Sequence, residues 1–286
     1  MPKKILLTGT SSYVGNHLED AFQKKGEVVE RISMRTPDWK TTDFNGYDVV
    51  IHLAALVHGS DPHASLEDYL QINCELTKEV AIKAKAEGVR QFVFFSTMAV
   101  FGLEGKIEQP IQIDGSTVPD PQSPYGKSKL KAENHLQQIA APDFHICIVR
   151  PPMIYGPGAP GNFARLEKLA RILPFYPRID NARSSIYIGN LERYIMQLVA
   201  ENKTGYYHPQ NSYYLHTNQA IAIMRATQGK KIHTIPIPKM LKNLLGGVST
   251  ANKVYGSLVY SHDLDKEKIV LEEIGLEASL SRNGNN

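Results

Sequence analysis

Lys4-Ile5-Leu6-Leu7-Thr8-Gly9-Thr10-Ser11-Ser12-Tyr13-Val14-Gly15 decides how this chain is read. Ile5-Leu6-Leu7 is a buried strand, and Gly9 opens a turn. A helix follows over Asn16 to Lys25, with Leu18, Ala21 and Phe22 on its apolar face. Strand, glycine turn and helix at the head of an alternating chain form a dinucleotide fingerprint. The backbone N–H groups at such a helix start hold a pyrophosphate. Gly9, Ser11, Ser12, Tyr13, Val14 and Gly15 are therefore candidate dinucleotide contacts. Ser12 stands where the pattern has its middle glycine. Its Cβ would crowd a close phosphate, while its hydroxyl offers a hydrogen bond.

The alternation continues. A second strand runs from about Val28 to Ser33 and leads into Ser33-Met34-Arg35. An acidic residue at this place binds a ribose 2′-hydroxyl, whereas a hydroxyl and a guanidinium suit a 2′-phosphate. Ser33 and Arg35 favour NADPH over NADH, with NAD(H) as the alternative. Asp38 and Trp39 come next and are read as flanking the adenine. Tyr47 to Ala55 is another buried strand, and the stretch Leu53-Ala54-Ala55 lets a flat cofactor lie against the backbone. Leu66 to Glu87 reads as one long helix; Asn73 within it is read as tying backbone groups together. Gln91 to Thr97 is a strand that ends in two hydroxyls, where switch-point chemistry sits. The Pro-rich segment from Gly102 to Ser123 is irregular and reads as a lid. His145 to Arg150 is a further strand, stopped by Pro151-Pro152.

Between those last strands lies Tyr125-Gly126-Lys127-Ser128-Lys129. Tyr125 and Lys129, four apart, share a helix face. An ammonium favours a nearby phenolate, so Lys129 is expected to lower the pKa of Tyr125 towards neutrality. Alone, this short spacing of common residues reads better as an ordinary surface helix with a buried tyrosine and a solvated lysine; its neighbours decide.

At 286 residues the chain has ample length for one or two domains, and its composition is that of a globular protein. The net charge of +3, mixed in sign, argues against a nucleic-acid partner. Cys74 and Cys147 read as isolated thiols rather than a disulfide framework or metal site. No run of about twenty apolar residues suggests a membrane span, and no signal peptide is visible. The expected location is the cytoplasm. The final Asn283-Gly284-Asn285-Asn286 reads as a frayed tail.

Several stretches together resemble the extended short-chain dehydrogenase/reductase superfamily, of the nucleotide-sugar epimerase/dehydratase type. They are Thr8-Gly9 to Gly15, Asp48 to Ala55, Ser96 to Gly102, Ser123 to Lys129 and Arg150 to Gly158, in that family's order and rough spacing. The resemblance implies a triad of Thr97, Tyr125 and Lys129. Tyr125 and Lys129 would also touch the cofactor, with Pro152; Thr97, Met98 and Tyr125 would touch the substrate. In the dehydratases of this family the strand end resembles Thr-Asp-Glu, the acid and base that water loss needs; here those two positions are Met98 and Ala99, neither moves a proton, and 4,6-dehydration is not expected. Arg150 to Arg165 and Asn181 to Ile188 are similar to bacterial surface-polysaccharide enzymes that reduce UDP-4-keto-6-deoxy-N-acetylhexosamines. The resemblance also implies a homodimer and a UDP-sugar held by the second half.

In that second half, Gly161-Asn162-Phe163 precedes a helix over Ala164 to Ile172; Asn162 and the N–H groups after it suit a diphosphate, and Arg183 suits bidentate pairing with the same phosphates. Lys239 to Leu245 reads as a short amphipathic helix, its Lys239 and Lys242 a sign of solubility rather than membrane contact. The expected fold is α/β: a Rossmann-type doubly wound parallel sheet over residues 1–156, then a smaller α+β substrate lobe over 157–286. Residues 186–204 are expected to pack back on the first domain. The expected activity is 4-ketoreduction. Its rivals are a 4-epimerase with tightly held NAD and, more remotely, a dinucleotide-sensing regulator without chemistry.

Overall fold

The computed structural model describes residues 1–57, 61, 63–265, 269 and 272–282; the expected frayed tail lies outside them. The chain begins with β1 (Lys4–Thr8), α1 (Tyr13–Lys24), β2 (Val28–Ile32) and β3 (Val49–His52). Helix α2 (Leu66–Leu70) passes through a π-helical turn at Gln71–Glu75 into α3 (Leu76–Ala86), followed by β4 (Gln91–Phe95), β5 (Ile111–Ile113), α4 (Pro124–Ile139) and β6 (His145–Val149). Then come β7 (Met153–Tyr155), α5 (Asn162–Ile172), β8 (Phe175–Pro177), β9 (Ser185–Tyr187), α6 (Ile188–Ala200) and β10 (Gly205–Tyr207). The chain ends with α7 (Thr217–Ala226), β11 (His233–Ile235), α8 (Lys239–Gly246), α9 (Ser249–Tyr255), β12 (Leu258–Tyr260) and α10 (Leu276–Ser281).

Two compact units emerge. The first holds residues 1–102, 118–151 and 192–208; the second holds 103–117, 152–191 and 209–286. This corrects the expected boundary in two ways. The segment taken for a lid is partly claimed by the second unit, because β5 pairs in parallel with β12. The stretch that returns to the first unit is 192–208 rather than 186–204. It is fastened by the buried Gln91 side chain, which donates to the carbonyls of Leu198 (3.1 Å) and Lys203 (2.9 Å).

The first unit is a Rossmann-like doubly wound fold. Its six-stranded parallel sheet has the order β2-β1-β3-β4-β6-β10. The winding reverses between β1 and β3, and ligands bind beside the carboxyl ends at such a reversal. Every residue of β3 and β4 is buried, as expected for strands covered on both faces. Leu6, Val50, Phe92, Phe94, Ile146 and Ile148 pack in one cluster with Val80 and Ala84 of α3 and Ala132 and Leu136 of α4.

No α-helix spans the β2-to-β3 connection among the described residues; a 3₁₀ turn at Pro37–Lys40 carries Trp39 into the same cluster, beside Phe44 and Tyr47. Trp39 is only 4% exposed. Its expected role beside the adenine is therefore corrected: the indole does the packing that a crossover helix would otherwise do. Asp38 accepts from the Thr36 hydroxyl at 2.8 Å, closing the same turn.

The single long helix expected over Leu66 to Glu87 is also interrupted. The π turn brings both Asn73 and Thr77 to the buried side. Asn73 clamps the backbone of Leu56, accepting from its N–H at 2.7 Å and donating to its carbonyl at 2.9 Å. Thr77 bonds the Asn73 carbonyl and the Nε2 of buried His52. Both cysteines are buried, and neither is in a disulfide.

Candidate active site

Three segments converge at the carboxyl edge of the sheet in the first unit. The first is the start of α4. Ser123 caps it by accepting from Gly126 N–H at 3.1 Å, and Pro124 fills the position where no donor is needed. This sets Tyr125 in the first turn and Lys129 one turn later. A Cβ on Gly126 would lie 2.7 Å from the Ala99 carbonyl oxygen and 2.9 Å from the Pro121 Cβ. Only glycine lets the helix come this close to the segment after β4.

That segment begins with Thr97, whose Oγ1 accepts from Ala99 N–H at 3.2 Å. The Thr97 hydroxyl lies close enough to the Tyr125 phenol to act on its pKa. The Lys129 ammonium donates to the Phe95 carbonyl at 2.7 Å and lies 4.6 Å from the centre of the Phe94 ring. Thr97, Tyr125 and Lys129 thus come together.

The electrostatics differ from the expectation. Burial pushes the Tyr125 phenol up to about 12; the Thr97 hydroxyl opposes that rise, and Tyr69 adds to it. Lys129 is not among the groups that shift it; its ammonium faces the Phe95 carbonyl and the Phe94 ring. Burial brings Lys129 itself down to about 7, opposed by the Glu133 carboxylate one turn further on.

Glu133 anchors a buried network that sequence reasoning missed. It accepts from Arg150 Nε at 3.0 Å, from Arg150 Nη2 at 2.5 Å, and from the Ser96 hydroxyl. The Arg150 guanidinium also lies over the rings of Phe101 and Tyr206, at 5.2 and 4.4 Å. The signal was available: Glu133 follows Lys129 by four residues on one helix face. His52 is held between Thr8 (2.9 Å to Nδ1) and Thr77 (3.0 Å to Nε2), and burial lowers it to about 3, so it is a neutral strut.

The second segment is the glycine turn after β1. Gly9 has φ +92°, and a Cβ there would stand 3.5 Å from Ala54, so the turn sits against the end of β3. Thr8 Oγ1 fastens the two, accepting from the N–H groups of Leu53 (3.1 Å) and Ala54 (3.3 Å). Ser12 has a local role: its hydroxyl caps α1 by accepting from Gly15 N–H at 3.1 Å. The hydroxyl expected to reach towards a phosphate is used to pre-form the helix start. A Cβ on Gly15 would lie 3.0 Å from Arg31 Nη2 and 3.2 Å from the Ser12 Cβ, tight contacts that these side chains would have to relieve. Arg31, unforeseen within its strand, donates to the Gly9 carbonyl (2.9 Å) and to Asn16 Oδ1 (2.6 Å), bracing the turn.

The third segment follows β2. Arg35 Nη2 lies 3.4 Å from Ser11 Oγ, and Arg35 N–H donates to Ser33 Oγ at 3.3 Å. Arg35 has no carboxylate partner among the described residues. These groups fit a dinucleotide: α1 has no acid in its first turn to compete for its positive end, and the Arg35 guanidinium stands beside two hydroxyls after β2.

Ala55 continues the β3 exit and is half-buried, as is Tyr13 at the start of α1 beside Val14. Met98 is half-buried and donates its N–H to the Pro151 carbonyl at 3.0 Å. Pro152, Asn162 and Arg183 belong to the second unit. Pro152 is buried; Asn162 begins α5, and its side chain lies outside what is described. Arg183 donates through Nη1 to the carbonyls of Asn252 (3.3 Å) and Gly256 (3.0 Å) and has no carboxylate partner among the described residues. Burial lowers its pKa.

Known proteins place this geometry. The model of the NAD dependent epimerase/dehydratase family matches residues 5–193. The UDP-glucose 4-epimerase of Vibrio cholerae is 27% identical, the alignment covering 94% of this chain and 90% of the relative. The N-acetyl-alpha-D-glucosaminyl-diphospho-ditrans,octacis-undecaprenol 4-epimerase of Escherichia coli O157:H7 is 28% identical over 86% of this chain and 78% of its own length. Among solved structures, RMD from Pseudomonas aeruginosa complexed with NADPH superposes with a TM-score of 0.71 at 21% identity, covering 99% of this chain and 98% of that one. The chain belongs to the NAD dependent epimerase/dehydratase family and is an NAD(P)-dependent nucleotide-sugar enzyme.

Proposed function

We propose that the chain reduces the C4 ketone of a UDP-4-keto-6-deoxy-N-acetylhexosamine, giving UDP-N-acetylquinovosamine or UDP-N-acetylfucosamine, with NADPH as reductant. The observation that carries this reading is the Thr97–Tyr125 hydroxyl pair beside buried Lys129. When bound, the reduced nicotinamide supplies the hydride. Thr97 hydrogen-bonds the ketone oxygen and polarises it. Tyr125, held near 12, is protonated at neutral pH, the state a donor needs. It gives that proton to the more basic alkoxide oxygen. General acid help of this kind contributes roughly 10² to 10⁴ in rate. Lys129 holds the nicotinamide ribose, and Arg35 with Ser11 and Ser33 holds the 2′-phosphate. Asn162 and Arg183 hold the diphosphate of the sugar nucleotide. Met98 and Ala99 offer no proton-moving group, which argues against dehydration.

A second reading is a 4-epimerase, favoured by the names of the two relatives that align along most of the chain. Incubation with a UDP-4-keto-6-deoxy-N-acetylhexosamine and either NADPH or NADH, followed at the absorbance of the reduced cofactor, separates the two. Stoichiometric oxidation of NADPH supports reduction; interconversion of two UDP-sugars without added reductant supports the epimerase. Tyr125→Phe is expected to abolish turnover while leaving cofactor affinity intact, and near-normal turnover would remove Tyr125 from the mechanism. The reading carries with it a cytoplasmic homodimer, which sedimentation of the purified chain tests.

A further inference from the structure

Helix α8, Lys239-Met240-Leu241-Lys242-Asn243-Leu244-Leu245-Gly246, is turned the wrong way for an ordinary surface helix. Such helices put their apolar stripe inward and their charges outward. Here no residue of the helix is fully buried. Met240 is 84% exposed, Leu244 69% and Leu241 40%; Val248, just past its end, is 47% exposed. At about 100° per residue, Met240, Leu241 and Leu244 span an arc of roughly 100°. That arc faces water. The attachment is on the other side, where Leu245 packs on the cluster of Ile107, Ile179 and Tyr255, and Lys242 pairs with Glu108 at 3.0 Å.

The charges around it are one-sided. No Asp or Glu occurs between Glu201 and Asp263, and five lysines fall between Lys230 and Lys253. Three residues before α8, the β8–β11 ribbon exposes Phe175 and Ile235, which alternation puts on one face in that register.

We infer that α8 and its flanks dock on the surface of an anionic phospholipid bilayer, the apolar arc entering the headgroup boundary and the lysines meeting lipid phosphates. An exposed apolar arc edged by lysines, in a run of sequence that carries no Asp or Glu of its own and meets Glu108 only through Lys242, is the pattern of an interfacial helix, and each lysine near an anionic leaflet adds attraction. A second copy of the chain is the poorer occupant, since it would bring one lysine-rich run without Asp or Glu of its own against another. No helix among the described residues is long and apolar enough to cross a membrane, so the contact is peripheral. The inference stands whether the chain reduces or epimerises. It reverses the sequence-based expectation that Lys239 and Lys242 signal only solubility.

The test is flotation of the full chain with vesicles of phosphatidylcholine alone and of phosphatidylcholine with phosphatidylglycerol. The expected result is binding to the anionic vesicles only, weakened by salt as surface charges are screened. Met240→Asp with Leu244→Asp should lower vesicle affinity at least roughly tenfold, from the two apolar side chains kept out of the boundary. Lys231→Glu with Lys239→Glu should lower it by a similar factor. The substituted side chains are largely exposed, so unchanged melting and unchanged turnover of a soluble substrate show that the variants are folded. Absence of flotation, equal binding to neutral vesicles, or binding untouched by the variants overturns the inference. So does a concentration-dependent dimer that the Met240/Leu244 variant abolishes while vesicles bind neither protein.

Discussion

Replacing Glu133 by Gln tests the buried network behind the site. The carboxylate is fully buried and faces a guanidinium that is 9% exposed, held by two hydrogen bonds of 2.5 and 3.0 Å. The amide keeps the shape but removes the charge, leaving Arg150 opposite a neutral group that presents donors as well as an acceptor. Breaking a buried pair by neutralising one member costs about 3–5 kcal/mol. At about 2–4 °C per kcal/mol, the melting temperature should fall by roughly 6–20 °C. There is a second consequence. Glu133 holds the Lys129 pKa up against burial, so its loss should carry Lys129 below about 7 and move the alkaline limb of the pH–rate profile to lower pH. The assays are calorimetry of the cofactor-free protein and the pH dependence of kcat/KM. The double variant Glu133→Gln, Arg150→Met removes both charges and should recover much of the stability, because a buried pair replaced by neutral groups of similar volume is often near neutral in energy. A loss under about 1 kcal/mol for Glu133→Gln, the range of surface pairs, would refute the reasoning. So would a double variant no more stable than the single one.

Arg35→Ala should raise the KM for NADPH by roughly ten- to a hundredfold, the worth of a charge-assisted hydrogen bond, and leave that for NADH little changed; parallel titrations of the two cofactors measure this. Gly126→Ala should depress kcat more than cofactor affinity, because the new methyl must push α4 away from the Ala99 carbonyl, 2.7 Å distant; steady-state kinetics beside equilibrium cofactor binding distinguish the two. Lys129→Met should stabilise the cofactor-free protein at neutral pH. The folded pKa of Lys129, about 7, lies below the unfolded value near 10.5, so between those limits the unfolded chain binds more protons and wild-type stability rises with pH. Urea unfolding from pH 7 to 10 should show this rise, of at most about 1.4 kcal/mol per pH unit from this group, and the variant should lose that component.

The triad illustrates what was legible and what was not. Spacing alone put Tyr125 and Lys129 on one helix face, but it could not say where the ammonium points. Folding takes both groups out of water, and desolvation rather than the ammonium sets the phenol, which rises where the sequence suggested it would fall. Trp39 followed the same logic in reverse. In sequence it stood beside a candidate cofactor loop; in the fold the first unit lacks a helix there, and the indole fills the space. The carboxylate-free run from 202 to 262 was open to view in the sequence, yet its meaning depended on which face of α8 the fold leaves exposed.

Local rules fixed what depends on neighbours along the chain: the buried strands from their apolar runs, the glycine turns from their backbone demands, and the start of α4 from its serine and proline. Their joint order carried the family. Tertiary structure decided everything that depends on groups distant in sequence. It set the β2-β1-β3 winding, the assignment of residues 103–117 to the second unit through β5 and β12, the bracing of the glycine turn by Arg31, and the charge states around Tyr125. The reason is common to all of these. Burial and long-range pairing change the free energy of a group by as much as its local chemistry does, and neither can be counted from sequence spacing.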